Sequence, residues 1–271
     1  PEVADAINDH YRPRFSGDKV PSGTVSVLLS IAEKVDNIFG SFSVGNIPKG
    51  SQDPYALRRQ ANAIVELIIR NGLRFQIGAA LEKISENYRD GAALTPKIID
   101  FINARAKTIF TEDGFRYDEI DACMIEGNTD YLELHRRAES LNSFRKNEKF
   151  SELLLGFKRM NNILSGFRKE HKDYALKFSE SLMEEREERE LYFFFSSRSV
   201  EMADLISGSS YIKLFELMTE AKPLIDAFFD KVLVMDRRTE VRDNRLSIIE
   251  GILGNFRTLI DFSKISDTQV S

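Results

Sequence analysis

"QDPYALRRQANAIVELII", residues 52–69, decides the fold class. Asp53 is a good N-cap and Pro54 a good first helical residue. Behind them Leu57, Ala61, Ile64 and Ile68 recur at steps of three and four. At about 100° per residue these form one stripe of an α-helix, with Arg59, Asn62 and Glu66 on the outer face and Arg58 on its flank. The loop before it, 43–52, carries Gly, Pro, Lys and Ser. A chain of net charge -5 thus sets a basic pair at the mouth of a helix. Either this is a capped surface helix, or it is a surface that meets an anionic partner.

The same periodicity extends in both directions. Val3, Ala6, Ile7 and Tyr11 predict a first helix ending at Arg12-Pro13. Val25, Leu28, Ala32, Val35 and Phe39 predict a second with a buried seam. Downstream, 79–88 is helical, 91–95 reads as a break, and Thr95-Pro96 caps a helix to about Phe110. A turn then leads into a short helix near Asp118. Further helices are expected over 130–146 and 148–166. One long helix is expected over 173–206, its charge run "EEREERE" (184–190) a solvated face. Lys222-Pro223 restarts the chain, and a last helix spans 239–263, burying Val241, Ile248, Ile249, Ile252, Phe256 and Leu259. No segment reads as a strand. The expectation is an all-α protein, a bundle or a pair of packed bundles.

Composition agrees. The 271 residues are 42% hydrophobic and 30% charged, with only 7 Pro and 15 Gly, a globular balance that favours long helices. A single cysteine, Cys123, excludes an internal disulfide and a thiol cluster for zinc, and points to a reducing, cytoplasmic compartment. On its short amphipathic helix Cys123 reads as a core residue. No apolar run approaches a membrane span, and no signal peptide opens the chain. A start at Pro1, in mid-helix, reads as a piece of something longer. Charge is segregated: the stretch 136–172 holds ten Lys/Arg against four Glu, so the rest of the chain is strongly acidic. That excludes a general nucleic-acid binder but leaves a local basic face for phosphates.

Catalytic constellations are missing. There is no P-loop, dinucleotide fingerprint or nucleophile elbow. His10, His135 and His171 are scattered. His10 with Asp18 and Asp36 is a thin metal reading, since a lone His at a helix end is more often a surface or capping residue. Basic features are present instead. Lys158-Arg159 lie on a helix with inner stripe Phe150, Leu153, Phe157 and Leu164, and Arg159 projects away from it. Asn161 falls on the apolar face, where a buried amide fixes helix register or backbone geometry, with base reading the less favoured alternative. Arg237-Arg238 occupy the turn "VMDRRTEVRDNRL" (234–246), followed by Arg242, Asn244 and Arg245. Turn arginines suit RNA, because guanidinium planes stack on bases and fork onto phosphates. Arg245 coincides with the core stripe and either snorkels past the helix end or pairs with an acid such as Asp230 or Asp236, the pairing being favoured.

"AEKVDNIFGSF", "GNIPKGSQDPYALRRQA", "EDGFRYDEIDACM", "FKRMNNIL" and "FFDKVLVMDRRTEVRDNRL" follow one another in this order. Together they resemble the C-terminal part of the β subunit of bacterial glycyl-tRNA synthetase of the α2β2 type. The resemblance runs from Val3 to Ser263. It implies the end of an HD-type helical domain with its joint over 1–85, and a helical anticodon-binding domain over 86–271. The latter is similar to the domain of arginyl-tRNA synthetase named for an Asp-Ala-Leu-Arg signature. Here Thr239-Glu240-Val241-Arg242 replaces that tetrapeptide and keeps only the Arg. Asp36 alone of an HD metal motif is present, so phosphohydrolase activity is not expected.

The implied function is tRNA binding in support of ATP-dependent glycine–tRNA ligation by the α subunit. The implied partners are tRNA-Gly and that α subunit, with no DNA and no membrane. ATP and Mg2+ are implied at the α subunit, and no cofactor or metal in this chain. The residues that would hold tRNA are Arg58, Arg59, Lys158, Arg159, Arg237, Arg238, Arg242 and Asn244. Arg58 and Arg59 have a second reading as one side of an interdomain salt bridge. The rival for the whole chain is a helical scaffold whose faces bind a protein partner.

Overall fold

The computed structural model describes residues 2–15 and 17–266. Among these, thirteen α-helices and two short 3-10 turns account for the regular structure. The β structure among them is an isolated bridge between Lys49 and Gln52. The all-α expectation therefore holds. None of these helices is long and apolar enough to cross a membrane. The chain divides into two compact units, one made of residues up to Ile120 plus Glu126–His135, the other of Asp121–Ile125 and the chain from Arg136 onward. Residues 85 and 86 both lie within the first of these units.

The first unit comprises α1 (Glu2–Asp9), α2 (Thr24–Ser43), α3 (Leu57–Arg70), α4 (Ile77–Ser85) and α5 (Gly91–Glu112). Helices α2, α3 and α5 pack on one another. Ile38, Phe39, Ile64, Ile68 and Ile102 are wholly buried between them, each worth about 1.5–3 kcal/mol of burial. The α3 stripe Leu57, Ala61, Ile64 and Ile68 is buried as expected. Asn62 and Glu66, expected on the outer face, are half-buried, and burial pushes the Glu66 carboxyl above its ordinary value. The helix starts at Leu57, three residues later than Pro54 predicts. Asp53 still caps it from a preceding turn, its carboxylate accepting from the N–H groups of Leu57 (2.8 Å) and Arg58 (3.0 Å). The acid serves the orphan donors of the first turn from four and five residues away.

Helix α2 corrects the expected seam. Val35 and Phe39 are buried, but Val25, Leu28 and Ala32 face outward while Val27, Ile31 and Ile38 face in. Residues 24–43 carry apolar side chains on two faces, and packing rather than periodicity selects one. The buried face includes a lysine. Lys34 Nζ donates to His10 O (2.9 Å) and to Ser30 Oγ (2.9 Å), and Ser30 Oγ donates to Arg12 O (2.7 Å). These bonds hold the end of α1 on α2, at the cost of a Lys34 pKa lowered by burial.

Helices α6 (Tyr117–Cys123) and α7 (Tyr131–Phe144) run across the division, and Cys123 is buried. The second unit continues with α8 (Glu148–Glu170), α9 (Arg186–Ser197), α10 (Ser199–Ser207), α11 (Tyr211–Glu220), α12 (Lys222–Lys231) and α13 (Thr239–Gly254). Phe157 of α8 packs on Phe262 and Phe256 at ring distances of 4.7 and 5.5 Å. Two expectations fail here. Residues 173–206 are no single helix: 171–185 is irregular apart from a 3-10 turn at Glu180–Leu182, and α9 gives way to α10 at Arg198. The last helix ends at Gly254, although Phe256 and Leu259 beyond it are buried as expected.

Candidate nucleic-acid interface

The N-terminal half of α13 organises its surroundings through charge. Arg238, at the N-cap, forks onto Glu184 with Nη1–Oε1 at 2.7 Å and Nη2–Oε2 at 2.8 Å, and donates from Nε to Asp236 Oδ1 at 3.2 Å. Arg245 is buried. Its Nε donates to Glu188 and its Nη1 to Asp236 Oδ2 (3.2 Å) and Leu233 O (3.0 Å). Glu188 is itself 0% exposed. The expected Arg245–Asp236 pairing is thus present, with a second acid that the sequence reading treats as solvated. Within the run 184–190, Glu185 and Arg186 do face solvent, but Glu184 and Glu188 reach back to α13.

Asp243 and Asn244 complete the arrangement. Arg242 lies 5.2 Å over the Phe167 ring and donates to Asp243 Oδ1 at 2.8 Å, while Asp243 Oδ2 accepts from the Tyr174 hydroxyl. That bond raises the Tyr174 pKa. Asn244 is 0% exposed and its Oδ1 accepts from Ser179 N at 2.7 Å. Asn244 therefore leaves the set of surface candidates. It is a buried amide that fixes backbone geometry, the role the sequence reading gives to Asn161, which is half-buried on α8. The row Asp243, Asn244, Arg245 with Arg238 is what holds the irregular segment 171–185 and the start of α9 on α13.

The other candidates fall into distinct places. Arg237 is exposed in the turn and, among the described residues, has no ion-pair partner. Arg159 is exposed on α8 with its guanidinium 4.2 Å over the Phe229 ring, and Lys158 beside it is half-buried. Arg58 and Arg59 belong to the first unit: Arg58 Nη2 donates to Gly50 O at 2.8 Å, and Arg59 is exposed without an ion pair among the described residues. Among the candidate arginines, those with no ion pair among the described residues, and so available to an anion without first leaving an acid, are Arg58, Arg59, Arg159 and Arg237. Arg238 and Arg242 are committed to carboxylates. The signal that could have found Glu188 was Arg245 itself, because a buried arginine requires a buried acid and the nearest run of acids in sequence is 184–190.

No group of three or more His, Cys, Asp or Glu suited to a metal ion occurs among the described residues. His10 Nδ1 lies 2.6 Å from Ile7 O, Asp18 accepts from the N–H groups of Arg14 and Lys19, and Asp36 accepts from the Tyr88 hydroxyl. His135 Nε2 lies 2.9 Å from Asp113 Oδ2.

The clamp at Arg238 has a pH signature. Hydrogen bonds from Arg238 hold the Asp236 carboxyl down at about 2 and lower that of Glu184. A depressed carboxyl pKa stabilises the folded chain above its ordinary value near 4, and that contribution disappears as pH falls through the folded value. Amide exchange in residues 179–189 is expected to quicken between pH 4 and pH 2, beyond the intrinsic pH dependence, and this quickening should be absent in Arg238→Ala.

By fold and surface the chain is an all-α protein with unpaired guanidinium groups displayed on helices and turns. Its relatives are specific. Residues 1–125 match the family model described as glycyl-tRNA synthetase beta subunit. The glycine--tRNA ligase beta subunit of Clostridioides difficile is 34% identical over 97% of this chain, and that of Moorella thermoacetica 33% identical over 97%. The subunit of Geobacter sp. strain M21 is 34% identical over 98%. This chain spans 38% of the length of each of these curated relatives. It is thus related, along nearly all of its own length, to glycine–tRNA ligase β subunits.

Proposed function

We propose that this chain is the tRNA-binding, anticodon-arm portion of a glycine–tRNA ligase β subunit, supporting attachment of glycine to tRNA-Gly by an α subunit in the cytoplasm. The observation that carries the reading is the resemblance to such β subunits along nearly all of the chain. The unpaired guanidiniums of Arg59, Arg159 and Arg237 give it a physical means. The role is positioning: cations neutralise phosphates, and splayed loop bases are read by stacking and edge hydrogen bonds. ATP and Mg2+ act at the α subunit in this reading, and no residue here is assigned to them.

The test is binding of tRNA-Gly, and of a transcript with its anticodon replaced, at 50 and 200 mM salt. Three phosphate contacts give a log–log salt slope of about -2.1 to -2.7, so affinity should fall about 20- to 40-fold over that interval. Arg237→Ala should flatten the slope by about one unit. Preference for the native anticodon, lost in Arg237→Ala, supports base reading at the turn. Salt-insensitive binding, or none at 50 mM, counts against the proposal.

A second reading, a protein-interaction scaffold, is favoured by a different observation. Val3, Ile7, Tyr11 and Phe15 are each at least 59% exposed, a density of outward apolar side chains typical of a protein interface. Such an interface would tolerate salt.

A further inference from the structure

The loop between α2 and α3 lines a half-open cleft of about 220 Å3. We propose that it is a nucleotide pocket, taking one unpaired base inside and the attached phosphate on Lys49 at its rim. The volume lies below the roughly 300–1,000 Å3 of pockets for drug-sized ligands and suits a single heterocycle. Ile47, Pro48 and Pro54 supply apolar wall, and Tyr55, 55% exposed, supplies a ring to stack on. Asn46 and Gln52 line the same cleft, and among the described residues their side-chain amides have no internal hydrogen-bond partner. Each amide offers a donor pair and an acceptor, the equipment needed for a base edge.

The loop is built to hold this shape. Arg58 Nη2 bonds Gly50 O at 2.8 Å, and Lys49 and Gln52 exchange backbone bonds of 3.2 and 2.9 Å. Asn46 N donates to Ser41 O at 2.9 Å, and Gln60 Nε2 to Tyr55 O at 3.1 Å. Gly50, at φ +53°, makes the sharp turn that brings its carbonyl to Arg58. The acid lining the cleft, Asp53, is engaged as the cap of α3, with both oxygens accepting N–H bonds. That leaves Lys49 as the lining cation a phosphate meets. A fastened cleft binds without first ordering its loop.

The nucleotide can come from RNA or from a free mononucleotide, and only the first source rests on the function proposed above. The experiment titrates the full 271-residue chain with a tRNA-Gly transcript and, separately, with AMP, for the wild type, Tyr55→Ala, Tyr55→Phe, Lys49→Ala and Arg237→Ala. Circular dichroism melts confirm folding. Loss of a base stack is expected to weaken tRNA binding about 5- to 100-fold in Tyr55→Ala. Tyr55→Phe keeps the ring and should bind as wild type. Wild-type tRNA affinity in both Tyr55→Ala and Lys49→Ala, with a loss in Arg237→Ala, overturns the pocket and leaves the RNA reading intact. AMP binding that depends on Tyr55, with no tRNA binding, supports the pocket with a free nucleotide and overturns the RNA reading. Binding of neither ligand by the wild type overturns both.

Discussion

Glu188→Ala is expected to destabilise the second unit by about 3–5 kcal/mol, because it leaves the Arg245 guanidinium buried without its acid. The two side chains are 0% and 4% exposed and their contact is direct. Asp236 and Glu184, the other acids near Arg245, are at 3.2 and 3.9 Å, and both are already shared with Arg238. Neither can replace Glu188 without releasing Arg238. The loss is an uncompensated charge rather than the worth of one ion pair, and a second variant separates these. Glu188→Leu with Arg245→Met removes both charges, and such replacements of a buried pair are often neutral or better. Protection of α9 and α13 amides, followed by hydrogen exchange, should collapse in the single variant and return substantially in the double. Near-native protection in Glu188→Ala would mean that Arg245 reaches water and that the pairing does not organise this unit.

That pairing also marks the limit of what the sequence discloses. The helix class was legible throughout, because apolar residues at steps of three and four specify helices wherever they occur, as at Leu57, Ala61, Ile64 and Ile68. Which face is buried was legible only where a single stripe exists. In α2 two apolar stripes compete, and the sequence seam Val25–Leu28–Ala32 lost to Val27–Ile31–Ile38. The reading of 173–206 as one helix failed for a related reason. Charged residues at helical spacing support a solvated helix locally. Here Glu184 and Glu188 are instead partners of Arg238 and Arg245, more than fifty residues away in sequence.

The same long-range pairing divides the candidate site. On sequence alone Arg238, Arg242 and Asn244 stand with Arg237, because all lie around one helix start. Only contacts distinguish an arginine committed to two carboxylates from one that is free, or an exposed asparagine from one holding the Ser179 N–H. Residues 239–242 show this in miniature: Val241 is core, and Arg242 covers Phe167 while pairing with Asp243. At this helix start the arginine is bound into the unit's own packing.

Gly91→Ala should cost the first unit about 3 kcal/mol or more. The sequence reading took 91–95 as a break; the chain instead turns back after α4 and starts α5 at Gly91 itself. A Cβ there would lie 2.1 Å from Ser85 O, 2.8 Å from Ser85 C and 2.9 Å from Ser85 Cα. All three are backbone atoms at the end of α4, so no side-chain rotation relieves the clash. Overpacking typically costs about 1–3 kcal/mol when side chains can shift, and this one requires the turn to open. The turn resists opening because Tyr88, within it, stacks on Phe39 at 5.2 Å and donates its hydroxyl to Asp36. Burial and that bond push the Tyr88 pKa up to about 12, so the hydroxyl remains a donor through neutral pH. Gly40 offers the contrast within the same unit. It lies inside α2, and a Cβ there would meet only Tyr88 Oη at 3.9 Å, an ordinary contact. Gly40→Ala is therefore expected to stabilise by about 0.5–1 kcal/mol, the helix-interior difference between the two residues. Exchange protection of α3 and α5 amides should fall in one variant and rise in the other. Equal responses would show that the α4–α5 turn does not bring Gly91 against Ser85.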